Sequence, residues 1–496
     1  MSSPQTVPAA PSRRQSFTVV LAIELWERFG FYGMQAVLLL YLVQHLGMAD
    51  RGATLLVGAF SALTYIFPVL GGLAGDRLLG ARRCMVIGAV MLAAGYGVLG
   101  LSDGHRNLLI FAMALISTGN GLFKPNAGNM VRRIYEGDDA ELDGAFTIYY
   151  MAVNVGSTVS MLLTPWLQDR FSPSVAFLTC AGGLSLGLCF YVARRSWLRG
   201  VGGMLDRTAA RPQASLIVAI GAAGCLMAGF VVLGSATIAR ACIWIAAMVI
   251  VLSWAWLYRK VGPAERIGLR IAYVLCAETM IFALFYQQQQ TSLTLFALRA
   301  VDGTFRLGGV TLFHMSAGQF QALNPFWIMV ASPVLAKLYD ALGRRGTDLS
   351  ISRKIAVGFG FGAIGFLIWW LCAAGARGLV SGWVMVIGYG FTSIAELLTM
   401  ALGLAVIARY VPARLSGFMM GSLYLLWALS FYLGSVVANM VEVGPGTASG
   451  AGPYVPLLRG LFWSLLGACF IIVALLPLLD RWERRHAAAV NLTRTN

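Results

Sequence analysis

Glu24, Glu27 and Arg28 stand at i, i+3 and i+4 of one apolar stretch, with Tyr32 at i+8, so all four share one helix face. Two carboxylates beside a guanidinium can exchange a proton, or the guanidinium can hold an anion through its forked donors. Three more ionisable residues, Lys124, Glu278 and Glu396, lie deep in other apolar stretches. Four acids against two cations leave carboxyl groups without a counter-ion, and such groups are expected to take up protons. All four histidines (45, 105, 314 and 486) fall in loops or tails, which leaves carboxylates as the expected proton sites. Tyr65, Asn120, Asn126, Tyr150 and Asn154 add polarity in the first half of the chain, and Gln319, Gln321 and Asn324 in the second. Pro68, Pro125, Pro325 and Pro333 stand beside them, where kinks free backbone carbonyls.

The elements that hold these residues follow from composition. With 58% hydrophobic and 12% charged residues over 496 positions, the chain has too little polar surface to cover a soluble globule. Apolar stretches of membrane-spanning length occur at 17–44, 53–76, 84–102, 108–131, 144–168, 174–193, 214–236, 240–258, 269–298, 317–341, 355–374, 379–409, 414–440 and 457–479. Fourteen spans put both termini on one side, and 27 of the 37 lysines and arginines fall on that side against 8 on the other. The positive-inside rule then predicts cytoplasmic termini, and the charge of +16 marks membrane orientation rather than nucleic-acid binding. Residues 1–16 read as a cytoplasmic tail, with no cleavable leader. All eight cysteines lie within spans, so no disulfide framework is implied.

Residues 194–213 read as a basic cytoplasmic linker, and 214–260 as two extra membrane helices that hold no acid, Asn or Gln within their spans. Setting that pair aside leaves six spans in 17–193 and six in 261–480, with 481–496 as a second tail. This is the count of an all-α major facilitator fold of two six-helix bundles, fourteen helices in all. Gly72-Leu-Ala-Gly75-Asp76-Arg77-Leu-Leu-Gly80-Ala-Arg82-Arg83 resembles that superfamily's cytoplasmic loop motif, in which an Asp and arginines latch neighbouring helices and Gly permits the turn. At ~1.5 Å per residue, Lys124 and Glu278 come out ~12 Å from the cytoplasmic helix ends, Glu27 ~15 Å and Glu396 ~20 Å. A lysine level with Glu27 is a plausible partner for it. Static buried pairs that only fix helix register are the plainer alternative.

Longer motifs then carry a resemblance to the proton-dependent oligopeptide transporter family, bacterial type with two extra central helices. Its first-helix signature appears as Glu24-Leu-Trp-Glu27-Arg28-Phe29-Gly30-Phe31-Tyr32-Gly33, departing at Phe31. Its fifth-helix motif appears as Phe146-Thr-Ile-Tyr149-Tyr150-Met-Ala-Val-Asn154-Val-Gly156-Ser157. Gly119-Asn120-Gly121-Leu-Phe-Lys124-Pro125-Asn126 and Gln321-Ala-Leu-Asn324-Pro325-Phe326-Trp327 look like its fourth- and eighth-helix segments.

The resemblance implies a proton-coupled symporter importing di- and tripeptides across the bacterial inner membrane by alternating access. No cofactor is implied beyond the proton, and a monomer is expected to suffice. Arg28 and Lys124 would receive the peptide carboxylate, and Glu396, Asn154 and Asn324 its amino terminus. Tyr32, Tyr65 and Tyr150 would line the site, and Glu24, Glu27, Lys124 and Glu278 would couple the proton. Relatives place an Arg and an acid in an outer gate where this chain has Gln35 and Gln287, and a Trp where it has Leu423; proton sensing here is expected to rest on Glu24, Glu27 or Glu278. A drug antiporter or an anion carrier on the same fold is the alternative. A receptor or enzyme is disfavoured, because no metal cluster, nucleophile triad or phosphate loop is legible.

Overall fold

The computed structural model describes residues 11–347, 349–441 and 450–495. Its helices in chain order are α1 (Arg13–Leu40), α2 (Asp50–Ala74), α3 (Ala81–Gly100), α4 (Arg106–Ile134), α5 (Asp139–Arg170), α6 (Pro173–Arg194), the short α7 (Met204–Arg207), α8 (Pro212–Gly234) and α9 (Ala236–Lys260). They continue as α10 (Pro263–Tyr286), α11 (Ser292–Ala300), α12 (Leu323–Arg344), α13 (Ile351–Gly375), α14 (Gly382–Leu398), α15 (Gly403–Tyr410), α16 (Ala413–Ala438) and α17 (Val455–Thr495). Among the described residues, thirteen helices are long and apolar enough to cross a membrane. α1, at 28 residues, matches them in length but carries Glu24, Glu27 and Arg28, which lower its apolarity. α8 and α9 have mean hydropathies of 2.6 and 2.0 with only 17% of either buried in protein, the profile of helices facing lipid.

Four local features add detail to the expected layout. The expected span 269–298 lies within one long apolar helix, Glu265–Ala300, which a 3₁₀ turn at Gln287–Gln290 interrupts between α10 and α11. Likewise the expected span 379–409 matches the apolar helix Gly382–Tyr410, interrupted between α14 and α15 by a turn at Met400–Leu402. The connection after α11 forms a hairpin of β2 (Thr304–Leu307) and β3 (Val310–His314), while β1 (Val301–Asp302) pairs in parallel with β4 (Val380–Ser381). Gly308 and Gly309, at φ of 56° and 86°, supply the two positive-φ positions of a tight hairpin turn. Phe305 stacks on Phe313 across the ladder at 4.5 Å. α17 runs on as helix through the residues expected as a tail.

Two compact units form. The first holds residues up to Met34, Phe67–Ser160 and Ser174–Phe230; the second holds Gln35–Ile66, Met161–Pro173 and the chain from Val231. Within the first, glycines let helices touch backbone to backbone, as lipid-embedded helices require when no hydrophobic force separates protein from solvent. A Cβ on Gly88 of α3 would lie 2.6 Å from the Gly119 carbonyl of α4, and one on Gly71 of α2 would lie 1.9 Å from that of Gly121. Gly71→Ala is therefore expected to destabilise the protein by roughly 3 kcal/mol, the upper range for overpacking, since a backbone carbonyl cannot yield. Thermal unfolding in detergent checks this, with Gly97→Ala, which meets open space, as the unaffected control.

In the second unit the ends of α2 and α5 remote from the N-terminus are fastened to later parts of the chain. Arg299 Nη2 donates to Asp50 Oδ1 at 2.7 Å, Thr54 Oγ1 to Asn439 Oδ1, and Gln319 Nε2 to the Leu162 carbonyl at 2.8 Å. A Cβ on Gly58 would strike Ser435. That end of α2 is held by an ion pair, a hydrogen bond and close packing together.

Candidate functional site

In the first unit, Glu24 and Glu27 both contact Arg28 through its Nε, at 2.8 Å each, and none of the three is more than 4% exposed. The i, i+4 spacing brings Glu24 back along the helix to Arg28, and Glu27 closes from the next position. Lys124, on α4, lies within electrostatic range of Glu24, Glu27 and Arg28. The structure thus brings Lys124 to the cluster as the depth reckoning expected, with Arg28 as the direct partner of both acids. Tyr32 lies beside Arg28 on the same face.

α5 is seated on α1 at Gly156, where a Cβ would lie 2.9 Å from the Leu25 carbonyl. That seating turns Tyr149 toward Glu24 and Arg28. Tyr150 is 45% exposed, and its carbonyl accepts from Asn154 Nδ2 at 2.8 Å. Tyr149 is a functional candidate that sequence reasoning missed; the fifth-helix motif contained it, but the helix rotation that turns it to the charges is not written in the motif.

The second unit holds the remaining candidates. Asn324 Nδ2 donates to Glu396 Oε2 at 2.7 Å and to Ser393 Oγ at 3.1 Å, which joins the start of α12 to α14. Ser393 was not anticipated, although it stands three residues before Glu396 on the same face. Glu278 on α10 is 3% exposed, and neither carboxyl oxygen has a hydrogen-bond partner among the described residues. A buried ionisable group without a partner inside a membrane helix is an expensive feature, retained where it serves a pathway.

Tyr65 packs among Phe431, Trp427 and Tyr424 of α16, with ring centroids at 4.7, 6.2 and 6.2 Å. Leu423, the position of the expected Trp departure, is fully buried, and Trp427 one turn on supplies the indole of that cage. Gln287 Nε2 donates to Ser435 Oγ at 3.3 Å, and among the described residues neither Gln35 Oε1 nor Gln287 Oε1 accepts a hydrogen bond, so the two amides do not bridge where relatives place charges.

The loop motif is built as a latch. Asp76 accepts from Asn129 of α4 at 2.9 Å, Asn129 accepts from Arg132 at 3.1 Å, and the three border a 270 Å³ cavity with Phe146. Gly80 adopts φ 91°, and beyond it the Arg82 amide donates to buried Asp206 at 3.1 Å while Arg83 Nη1 donates to the Leu205 carbonyl at 2.8 Å. The motif's arginines thereby hold the linker helix α7.

Long apolar helices with ionisable side chains buried inside them define a polytopic membrane carrier. The chain belongs to the POT family, whose model matches residues 82–452. Dipeptide and tripeptide permease B of Yersinia enterocolitica is 37% identical over 477 residues, covering 95% of this chain and 94% of the relative. Dipeptide and tripeptide permease A of Proteus mirabilis is 37% identical over 466 residues, covering 94% and 93%. The crystal structure of tetrameric PepTSo2 superposes with a TM-score of 0.87 at 41% identity, covering 95% of this chain and 99% of that one. A bacterial homologue of the human drug peptide transporters PepT1 and PepT2 gives 0.85 at 41% identity, covering 95% and 100%. The fold is the major facilitator fold of these transporters, and the chain is a transporter rather than an enzyme.

Proposed function

We propose that the protein is a proton-coupled symporter that imports di- and tripeptides by alternating access through the bacterial inner membrane, with both termini in the cytoplasm and one copy sufficient for transport. The observation that carries this reading is Arg28, buried and held through Nε by two carboxylates. A guanidinium has further N–H groups on Nη1 and Nη2, so contact at Nε is compatible with receiving a peptide carboxylate at the fork. Lys124 supplies a second positive charge beside it. Glu396, oriented by Asn324, receives the peptide ammonium, with Asn154. Every short peptide shares a carboxylate and an ammonium, so groups that read only the two ends leave the side chains free to vary. Tyr32, Tyr65 and Tyr150 add amphipathic ring surface for those side chains.

Proteoliposomes with an inward proton gradient test the reading: labelled dialanine is taken up, and di- and tripeptides compete while tetrapeptides and lipophilic cations do not. Absence of dialanine uptake overturns it. Competition by lipophilic cations alone turns the assignment to drug transport. Glu396→Gln is expected to weaken dialanine by roughly tenfold or more, the worth of a charge-assisted hydrogen bond, while N-acetylated dialanine is unaffected. Equal losses for both ligands would remove Glu396 from the amino-terminal role.

A further inference from the structure

The elbow where α9 turns into α10 concentrates charge and aromatic surface that the transport mechanism does not use. α9 ends Trp254-Ala-Trp256-Leu-Tyr258-Arg259-Lys260, and α10 carries Arg266 and Arg270 in its first turns. Directly before the cations, Val251, Leu252 and Trp256 are 66, 60 and 56% exposed, a lipid-facing band that ends in an indole, as helices do at the headgroup level.

The cations are ordered on this platform. Lys260 Nζ lies 4.6 Å over the Trp256 ring, and the Arg266 and Arg270 guanidinium carbons lie 5.6 and 5.5 Å from the Tyr258 ring. Arg270 Nε donates to the Tyr258 hydroxyl at 2.6 Å, and Arg266 Nε donates to the Val261 carbonyl at 3.1 Å. Trp254 and Tyr273 stack at 4.2 Å with rings 5° from parallel, and the Tyr273 hydroxyl donates to the Trp254 carbonyl, so the two helices are joined at this level.

None of the four cations is paired with a carboxylate among the described residues; Glu265, the acid between them in sequence, is engaged by Arg414. Four like charges held in one bend repel each other unless an anion neutralises them. A merely solvated face would let long basic side chains disperse into water, whereas three of these are fixed on aromatic rings at the foot of a bilayer-facing helix.

We infer that the α9–α10 elbow binds the phosphate headgroup of an anionic phospholipid from the leaflet on the side of the termini. The two guanidiniums flanking Tyr258 give forked donors for phosphate oxygens, and Arg259 and Lys260 add charge alongside. The exposed Val251, Leu252 and Trp256 accept the acyl chains. The extra helix pair thereby acquires a role of its own, anchoring to lipid, which is independent of the solute carried.

Native mass spectrometry of the full chain released from vesicles of phosphatidylglycerol or phosphatidylcholine tests the inference. Wild type is expected to retain phosphatidylglycerol preferentially, and Arg266→Gln/Arg270→Gln to lose that preference by about fivefold per cation removed. Arg266→Lys/Arg270→Lys restores most of it. Because Arg270 also braces Tyr258, Arg259→Gln/Lys260→Gln provides a second reading that leaves this contact intact and is expected to show the same loss. Equal retention of both lipids by wild type, or unchanged preference in Arg259→Gln/Lys260→Gln, overturns the inference. Displacement of phosphatidylglycerol by millimolar inorganic phosphate also overturns it, because the elbow would then be a site for small anions.

Discussion

Glu27→Gln is expected to abolish concentrative peptide uptake while leaving peptide exchange intact. With one proton coupled per peptide, an inward gradient of one pH unit supports about tenfold accumulation, because 1.4 kcal/mol corresponds to a factor of ten. Wild-type proteoliposomes should approach that ratio, and Glu27→Gln should stop at equal concentrations inside and out. The side chain keeps its size and can still hydrogen-bond, but it can no longer alternate between charged and neutral forms. In the structure Glu27 is fully buried and touches Arg28, so its charge state bears directly on how strongly Arg28 is held. Labelled-dialanine counterflow without a gradient provides the control. Full accumulation in Glu27→Gln, together with its loss in Glu278→Gln, would move the coupling site to the second half of the chain.

The second large effect is expected at Arg28. Arg28→Gln leaves Glu24 and Glu27 buried beside each other without the guanidinium that contacts both, with Lys124 left nearby, and breaking a buried pair in this way costs about 3–5 kcal/mol. The variant should unfold at a lower temperature in detergent and transport no peptide. Adding Glu24→Gln removes one of the stranded charges and should recover part of the stability, while transport stays absent because the anion reader is gone. Dialanine uptake at the wild-type rate in that double variant would reduce Arg28 to a structural strut. Arg28→Lys keeps the charge but not the fork, and should bind peptide about thirtyfold more weakly, the equivalent of roughly 2 kcal/mol.

Much of this was legible because charge inside an apolar helix is conspicuous. Glu24, Glu27 and Arg28 could be placed on one face by spacing alone, and Lys124 could be set level with them by counting residues from the helix end. What was not legible depends on partners distant in sequence. The turning of Tyr149 toward Glu24 and Arg28 goes with Gly156 resting on the Leu25 carbonyl of α1, a contact between helices that no periodicity within α5 encodes. The isolation of Glu278 is a property of its neighbours in space. The hairpin Thr304–His314 is a different case: Gly308-Gly309 between alternating residues is a recognisable turn signal, obscured by the assumption that segments between spans are loops.

The interruption at Gln287–Gln290 carries no helix-breaking residue, and its chemistry explains how it is tolerated. Gln288 Nε2 donates to the Leu284 and Gly434 carbonyls at 3.1 and 2.9 Å, Thr291 Oγ1 to the Gln287 carbonyl at 2.9 Å, and Thr294 Oγ1 to the Gln289 carbonyl at 2.8 Å. Side-chain donors thus cover carbonyls that a broken helix would otherwise present to hydrocarbon. The segment is a self-capped bend: its own amide and hydroxyl side chains supply the donors that the interrupted backbone ladder between α10 and α11 lacks.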